Sequence, residues 1–344
     1  MDARQRQHSR SWFPSHRKRL LAECRLLGEL RLSDSHVNEI LARYVLGRLI
    51  RVEWLESGYQ SDNYTLITDG GKYCLRLIFD RDTRVEYILG VYDFVASRGV
   101  PTARPIRTVD GRLYTLHDGI PAAVQTFVEG ISAAADPKPL PVYGRTLGRL
   151  HAALAGAPLR GQGDEGCLPS VKRLAERFPP DSFVRGEYLA LWEELNALPL
   201  SSYTRLVVHG DCGPKDFYFD GDRLTGILDF GAACPDYLLY DLATMMMYTQ
   251  IFPKDKGSEY GGFIRAYLEA FPLPREELRG LRAFLKARFL IQVFYHWTRY
   301  RDGVTQGLSS PEDNLEGVED GKTMLRTLAD VPQDFYLQAP GPTR

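Results

Sequence analysis

The stretch Val207-Val208-His209-Gly210-Asp211-Cys212-Gly213-Pro214-Lys215-Asp216-Phe217-Tyr218-Phe219, continued by Asp220-Gly221-Asp222-Arg223-Leu224-Thr225-Gly226-Ile227-Leu228-Asp229-Phe230-Gly231, carries the decisive pattern. It reads as an apolar strand, a polar loop, a hairpin turning at Asp220-Gly221 and a second apolar strand that stops at Asp229. A hairpin returns the chain to the end it left, so Asp211, Asp216 and Asp229 are expected to converge at one mouth. Any one of them alone is an ordinary turn or capping aspartate. His-Gly-Asp, an acid five residues after that Asp, and an apolar-flanked Asp-Phe-Gly after a single hairpin together favour a functional site.

Crowded carboxylates repel each other unless a cation lies among them. Mg²⁺, with Mn²⁺ as the alternative, takes one or two carboxylates and completes its shell with substrate phosphates. A remaining acid can accept the proton of an attacking hydroxyl and align it with a nucleotide γ-phosphate.

Outward from this segment, residues 35–128 read as an antiparallel sheet crossed by one helix. A short helix is expected over 35–45, capped by Asp34 or Ser35. Strands are expected at 49–55, 63–68 and 72–78, the last two joined at Asp69-Gly70-Gly71. Residues 82–97 place Val85, Leu89, Tyr92, Val95 and Ala96 along one helical face, with Gly99 as the stop and Pro101 preventing continuation. Further strands are expected at 104–109 and 112–116, across an Asp110-Gly111 turn, and at 122–128.

From Glu129 onward helical patterns dominate, at 141–155, 169–177, 185–196, 236–248, 258–270, 275–301 and 315–328, with 206–230 as a β-rich island. The fold class is therefore α+β, with an antiparallel-sheet lobe over 35–128, a mostly helical lobe over 129–335 and a candidate hinge at Glu129-Gly130. A chain of 344 residues suits two lobes sharing a cleft better than one core.

The formal net charge of −1 gives no global field for nucleic acid or an acidic membrane, so neither is an expected partner. No stretch approaches the apolar length that spans a bilayer. Cys24, Cys74, Cys167, Cys212 and Cys234 are scattered without a paired spacing, which argues against a disulfide framework or zinc site and for a reducing cytoplasm. Residues 1–34 read as a peripheral basic extension, with an organelle-targeting segment as the alternative.

His209-Gly210-Asp211, the acid at 216 and Leu228-Asp229-Phe230 resemble the signature of the aminoglycoside phosphotransferase and homoserine/choline kinase-like superfamily. The stretch 220–230 with Cys234-Pro235-Asp236-Tyr237-Leu238-Leu239-Tyr240-Asp241-Leu242-Ala243 is similar to its homoserine-kinase branch. The resemblance runs from about residue 35 to about 330 and is strongest at 206–243. It implies a bilobal protein-kinase-like fold. It also implies transfer of phosphate from ATP, with GTP as the alternative, to a hydroxyl of a small molecule. Asp211 would then be the catalytic base or hydroxyl-orienting residue, and Asp229 a Mg²⁺ ligand as in the kinase Asp-Phe-Gly motif. Asp216 stands where the family places a metal-binding asparagine. His209 and Asp241 would support the catalytic loop rather than take part in chemistry. Gly213-Pro214 replaces the usual His-Pro. Lys215 either reaches the γ-phosphate or remains a solvated loop lysine.

On the nucleotide side the resemblance places Gly58, Ser61 and Asn63 in a phosphate-covering loop. Arg76 becomes the phosphate-binding cation, and the backbone near Gln125–Phe127 the adenine-binding edge. The glutamate that ordinarily partners the cation is expected near position 88, where Ile88 stands; Glu86 is the nearest acid. For the acceptor, Asp236 is a candidate amine ligand or a helix cap. Tyr295 and Arg299 either face a pocket or belong to an apolar core helix. The acceptor classes are an aminoglycoside, homoserine, a choline-like amino-alcohol or a sugar, with a protein hydroxyl as a lesser one. A catalytically impaired nucleotide-binding or scaffold protein is the competing reading, motivated by Ile88, Gly213 and Asp216.

Overall fold

The computed structural model describes residues 32–55, 61–79, 82–158, 166–251, 257–305, 308–332 and 334–338. The expected extension up to residue 31 and the loop glycine Gly58 lie outside them.

Helix α1 (Asp34–Leu41) is capped by Ser33, whose hydroxyl accepts from the His36 amide, so the cap precedes both expected candidates. Strands β1 (Leu49–Trp54), β2 (Ser61–Thr68) and β3 (Gly71–Ile78) follow as an antiparallel meander. Helix α2 (Asp82–Ser97) has the expected bounds. Strands β4 (Thr115–His117) and β5 (Ile120–Thr126) complete a five-stranded sheet in the order β1-β2-β3-β5-β4. Alternation along β5 sorts its two faces. Ala122 and Val124 pack with Val37, Ile40 and Leu41 of α1, whereas Ala123 packs with Val85 and Leu89 of α2.

Residues 104–109 do not form the expected strand. Pro105 makes only an isolated bridge to Gln125, since a proline has no amide to continue a ladder. The Asp110-Gly111 turn is present, closed by Gly111 N–H donating to Thr108 O. The sheet hairpin turns later, at Asp118-Gly119.

The second lobe opens with the two-residue strand β6 (Ile131–Ser132), which the sequence pattern missed. It pairs with β8 (Phe217–Asp220), which pairs with β9 (Arg223–Ile227). Strand β7 (Arg205–Val208) pairs with β10 (Cys234–Tyr237), so the helix expected from 236 begins instead at Leu239. The helices are α3 (Leu140–Leu154), α4 (Cys167–Ala175), α5 (Ser182–Asn196), α6 (Leu239–Thr249), α7 (Gly257–Ala270), α8 (Leu281–Arg301) and α9 (Asn314–Ala329). The helix expected over 275–301 is divided into a 3-10 turn, Arg275–Gly280, and α8. Helix α8 is the core of this lobe, burying Phe284, Leu285, Phe289, Leu290 and Phe294. Among the described residues no helix is long and apolar enough to cross a membrane.

Direct bonds join the lobes next to the decisive segment. Thr102 Oγ1 donates to Ile227 O at 2.6 Å, and Arg84 Nη2 to Gly231 O at 2.7 Å.

Candidate active site

The loop after β7 is held from below by one buried acid. Asp241, in the first turn of α6, accepts from His209 N–H at 2.7 Å and Gly210 N–H at 2.8 Å, and its carboxylate also meets His151 Nε2 at 3.1 Å. Burial pushes the Asp241 carboxyl up, but these donors outweigh it and hold it below the ordinary range. His151 is fixed in turn by the Tyr267 hydroxyl, 2.8 Å from its Nδ1. The His209 ring donates from Nε2 to Leu228 O at 2.8 Å, tying the loop to the turn after β9 that carries Asp229. Gly210 has φ 85°, and a Cβ there would lie 2.3 Å from Ala232 O, so only glycine fits.

Three carboxylates face one point. The Lys215 ammonium lies 3.2 Å from Asp211 Oδ2, 3.3 Å from Asp216 Oδ1 and 3.7 Å from Asp229 Oδ2. Asp211 spends its other oxygen on Arg288 Nη2 at 2.7 Å and the Tyr248 hydroxyl at 2.9 Å. Burial raises its pKa, yet Arg288 and Lys215 prevail and leave it below the ordinary range. Asp216 is buried, and its Oδ2 accepts from Gly213 N–H at 2.8 Å; burial pushes its carboxyl up to about 6. Asp229 is more open and adopts φ 63°, a left-handed backbone that Asp tolerates better than most residues. Gly213 stands where the resemblance leads us to expect histidine, and a Cβ there would lie 2.6 Å from the Tyr248 ring. Its lack of a side chain is what allows Tyr248 to close onto Asp211.

Two of these contacts escaped the sequence reading. Arg288, buried on α8, and Tyr248, on α6, both hold Asp211. The available signal for Arg288 was a permanent charge embedded in an apolar helical run.

The nucleotide side holds a second surprise. Arg76 Nη1 donates to the Tyr92 hydroxyl and Nη2 to Ser61 Oγ, each at 3.3 Å. Ser61 Oγ also bonds Asn63 Oδ1 at 3.4 Å. Glu86 lies exposed on the outside of α2, and Ile88 is buried in the core. The group that α2 offers to Arg76 is therefore a phenol one turn beyond Ile88, on the same helical face, rather than Glu86. Tyr92 Oη also accepts from Asp229 N–H at 2.9 Å and Phe230 N–H at 3.4 Å. One hydroxyl thus links the cation of the sheet lobe to the Asp229 turn. Tyr92→Phe strands these buried donors. A loss of about 1–3 kcal/mol in urea unfolding is expected, with weaker AMP-PNP binding by calorimetry; unchanged values for both would show the link to be idle.

Gln125 is fully buried and its amide donates to Ala103 O at 2.5 Å, so its side chain serves the core. Phe127 is half-buried and carries Lys72 Nζ 3.7 Å over its ring.

The expected acceptor residues are not gathered at the mouth. Asp236 is buried, accepting from Cys167 N–H and Tyr237 N–H, each at 2.6 Å. It lies inside β10 rather than at the start of the helix expected from 236, and its carboxylate instead receives the first amide of α4 from across the fold. Tyr295 and Arg299 bond each other at 3.5 Å, and Arg299 Nε donates to Asn314 at 2.9 Å. They lie roughly 10 and 16 Å along α8 from Arg288, by the rise of a helix. They brace α9, and it is Arg288 through which α8 reaches the acids.

Burial raises Asp236 from 3.8 to about 6. A carboxyl with a raised folded-state pKa stabilises most below its unfolded pKa, and that contribution is lost as pH rises through about 6. Relative to Asp236→Asn, the wild type is expected to gain about 1.4 kcal/mol between pH 7 and pH 5, from thermal or urea unfolding. A difference independent of pH contradicts this.

The donor set fits a divalent cation. Asp216 and Asp229 each turn an oxygen to a point already shown to attract positive charge. Among the described residues no three His, Cys, Asp or Glu side chains surround one metal position. Two carboxylates with phosphate oxygens are nevertheless the set that Mg²⁺ uses.

The model of the phosphotransferase enzyme family matches residues 51–284. A homoserine kinase of Bradyrhizobium sp. (strain BTAi1) is 29% identical over 324 residues, covering 89% of this chain and 96% of that protein. A homoserine kinase of Bradyrhizobium sp. (strain ORS 278) is 31% identical over 299 residues, covering 81% and 90%. Among solved structures, the amicoumacin kinase hAmiN in complex with AMP-PNP and Ca²⁺ has a TM-score of 0.70 at 15% identity, covering 90% of this chain and 98% of that one. The chain belongs to the phosphotransferase enzyme family and is a kinase with the bilobal protein-kinase-like fold.

Proposed function

We propose that this kinase transfers the γ-phosphoryl group of ATP to a hydroxyl of a small hydroxy amino acid such as homoserine, in the presence of Mg²⁺. The observation that carries the reading is the convergence of Asp211, Asp216 and Asp229 on one cation at the lobe junction. Two relatives named homoserine kinase, matching over most of both chains, support the acceptor class.

Asp211 is the acid to orient the acceptor. Its Oδ1 is fixed by Arg288 and Tyr248, and its Oδ2 faces the mouth. The acceptor oxygen forms a bond to the γ-phosphorus as the bridging P–O bond breaks, and ADP leaves. Asp211 accepts the hydroxyl proton as the new O–P bond forms. Asp216 and Asp229 would hold the metal, which would supply neutralisation of phosphate charge. Arg76, kept in place by Tyr92 and Ser61, pairs with nucleotide phosphate, and its planar fork suits that task. Ser61 and Asn63 close the phosphate end, and the backbone from Gln125 to Phe127 offers the adenine edge.

The test is ADP release with Mg²⁺ against homoserine, choline, ethanolamine, aminoglycosides and free sugars. Homoserine is expected to raise the rate far above the acceptor-free background. Stimulation by another member alone would replace the acceptor class. No stimulation by any, with Mg²⁺ or Mn²⁺, would favour the nucleotide-binding scaffold, a reading to which the lysine in the acidic mouth adds support beside Ile88, Gly213 and Asp216.

A further inference from the structure

Lys215 has no assigned role in the reaction above, yet its ammonium stands among three carboxylates. Its ammonium stands within 3.7 Å of an oxygen from each of three carboxylates, two from its own loop and one from the Asp229 turn. The loop geometry directs it there. Pro214 starts a single 3-10 turn, Pro214–Asp216, that presents Lys215 beside Asp216 and four residues beyond Asp211. Tyr248 flanks it, with its ring centroid 5.8 Å from Nζ. Arg288 claims Asp211 Oδ1, leaving Oδ2 for the ammonium.

This position conflicts with a metal ion. Mg²⁺ binds oxygen at about 2.0–2.1 Å. An ion that close to Asp216 Oδ1 and Asp229 Oδ2 would compete for the two oxygens that the ammonium already holds at 3.3 and 3.7 Å, and would stand no more than about 5.4 Å from it. Charge points the same way. Three carboxylates facing Lys215 and Arg288 leave one negative charge uncompensated. A divalent ion added beside both cations leaves the mouth positive until nucleotide phosphates arrive.

We propose that Lys215 is a tethered counter-cation that excludes free divalent metal from Asp216 and Asp229 and yields only to metal arriving with nucleotide. Metal loading is thereby coupled to nucleotide loading. The displaced ammonium stays within reach of the phosphates that replaced its partners. Lys215 is in this sense a positioning residue for the metal–nucleotide pair, and the inference rests on the kinase reading above.

The experiment measures free Mn²⁺ by electron paramagnetic resonance in titrations of wild type, Lys215→Met and Lys215→Arg, with and without AMP-PNP. Without nucleotide, Lys215→Met is expected to bind Mn²⁺ at least about tenfold more tightly than wild type, since loss of one close charge is worth a pK unit or more. Lys215→Arg, which keeps the charge, is expected to stay near wild type. AMP-PNP should tighten Mn²⁺ binding much more in wild type than in Lys215→Met. Lys215→Gln takes the place of the methionine variant if the latter unfolds. Equal or weaker nucleotide-free Mn²⁺ binding by the neutral variants, with AMP-PNP-supported binding intact in wild type, overturns this inference alone. Absence of AMP-PNP-supported Mn²⁺ binding in wild type overturns the kinase reading and the inference together.

Discussion

Asp211→Ala is expected to lower turnover by about a thousandfold or more while leaving AMP-PNP affinity within about threefold. In the proposed reaction the carboxylate serves the acceptor, and it is fixed by Arg288 at 2.7 Å and Tyr248 at 2.9 Å. Its bonds therefore position a base without contributing to the Arg76 side, where nucleotide phosphate is expected to bind. Asp211→Asn separates shape from charge. It keeps an oxygen for Tyr248 and Arg288 but cannot take up a proton, so it should be nearly as inactive as the alanine variant. Steady-state kinetics with saturating acceptor, beside calorimetry with AMP-PNP, checks both. A variant that retained a tenth of the wild-type turnover would remove Asp211 from the chemistry.

The largest effect on stability is expected from Asp241→Ala, at about 3–5 kcal/mol by urea unfolding. One carboxylate with no exposure satisfies His209 N–H, Gly210 N–H and His151 Nε2. Its removal leaves two buried amides and a buried imidazole without that acceptor, each carrying a desolvation cost. Because the pKa of Asp241 is depressed in the folded chain, its contribution is present above the unfolded value of 3.8 and fades only as pH falls through the lower folded value. The destabilisation should therefore be constant between pH 6 and pH 8. A loss below about 1 kcal/mol would mean that the loop is held by its strands alone.

The acids were legible in the sequence because hairpin geometry and charge act locally. Asp220-Gly221 sets the turn, and the strands around it must return Asp229 to the end occupied by Asp211 and Asp216. The sheet lobe was legible for the same reason, with β2, β3 and α2 marked by alternation, an Asp-Gly turn and a clean apolar face. Pro105 shows the limit of pattern reading, since the alternation of 104–109 resembles a strand that the missing amide does not allow. The two-residue β6 is too short to carry a period. Long-range pairings were the least accessible. Nothing near Arg76 indicates that a phenol 16 residues later will replace a carboxylate. Nothing near Asp211 indicates that Arg288, 77 residues away, will fix it. Such partners are chosen by the packing of α2 and α8, which brings distant residues to one point.

The most direct measurement is transfer of ³²P from [γ-³²P]ATP to homoserine, with the phosphorylated product separated from nucleotide and inorganic phosphate. Label appearing in a homoserine phosphomonoester in step with ADP, and absent with Asp211→Ala, is the predicted result. Label remaining in ATP or passing only to water, while AMP-PNP still binds, would contradict the proposed transfer to this acceptor.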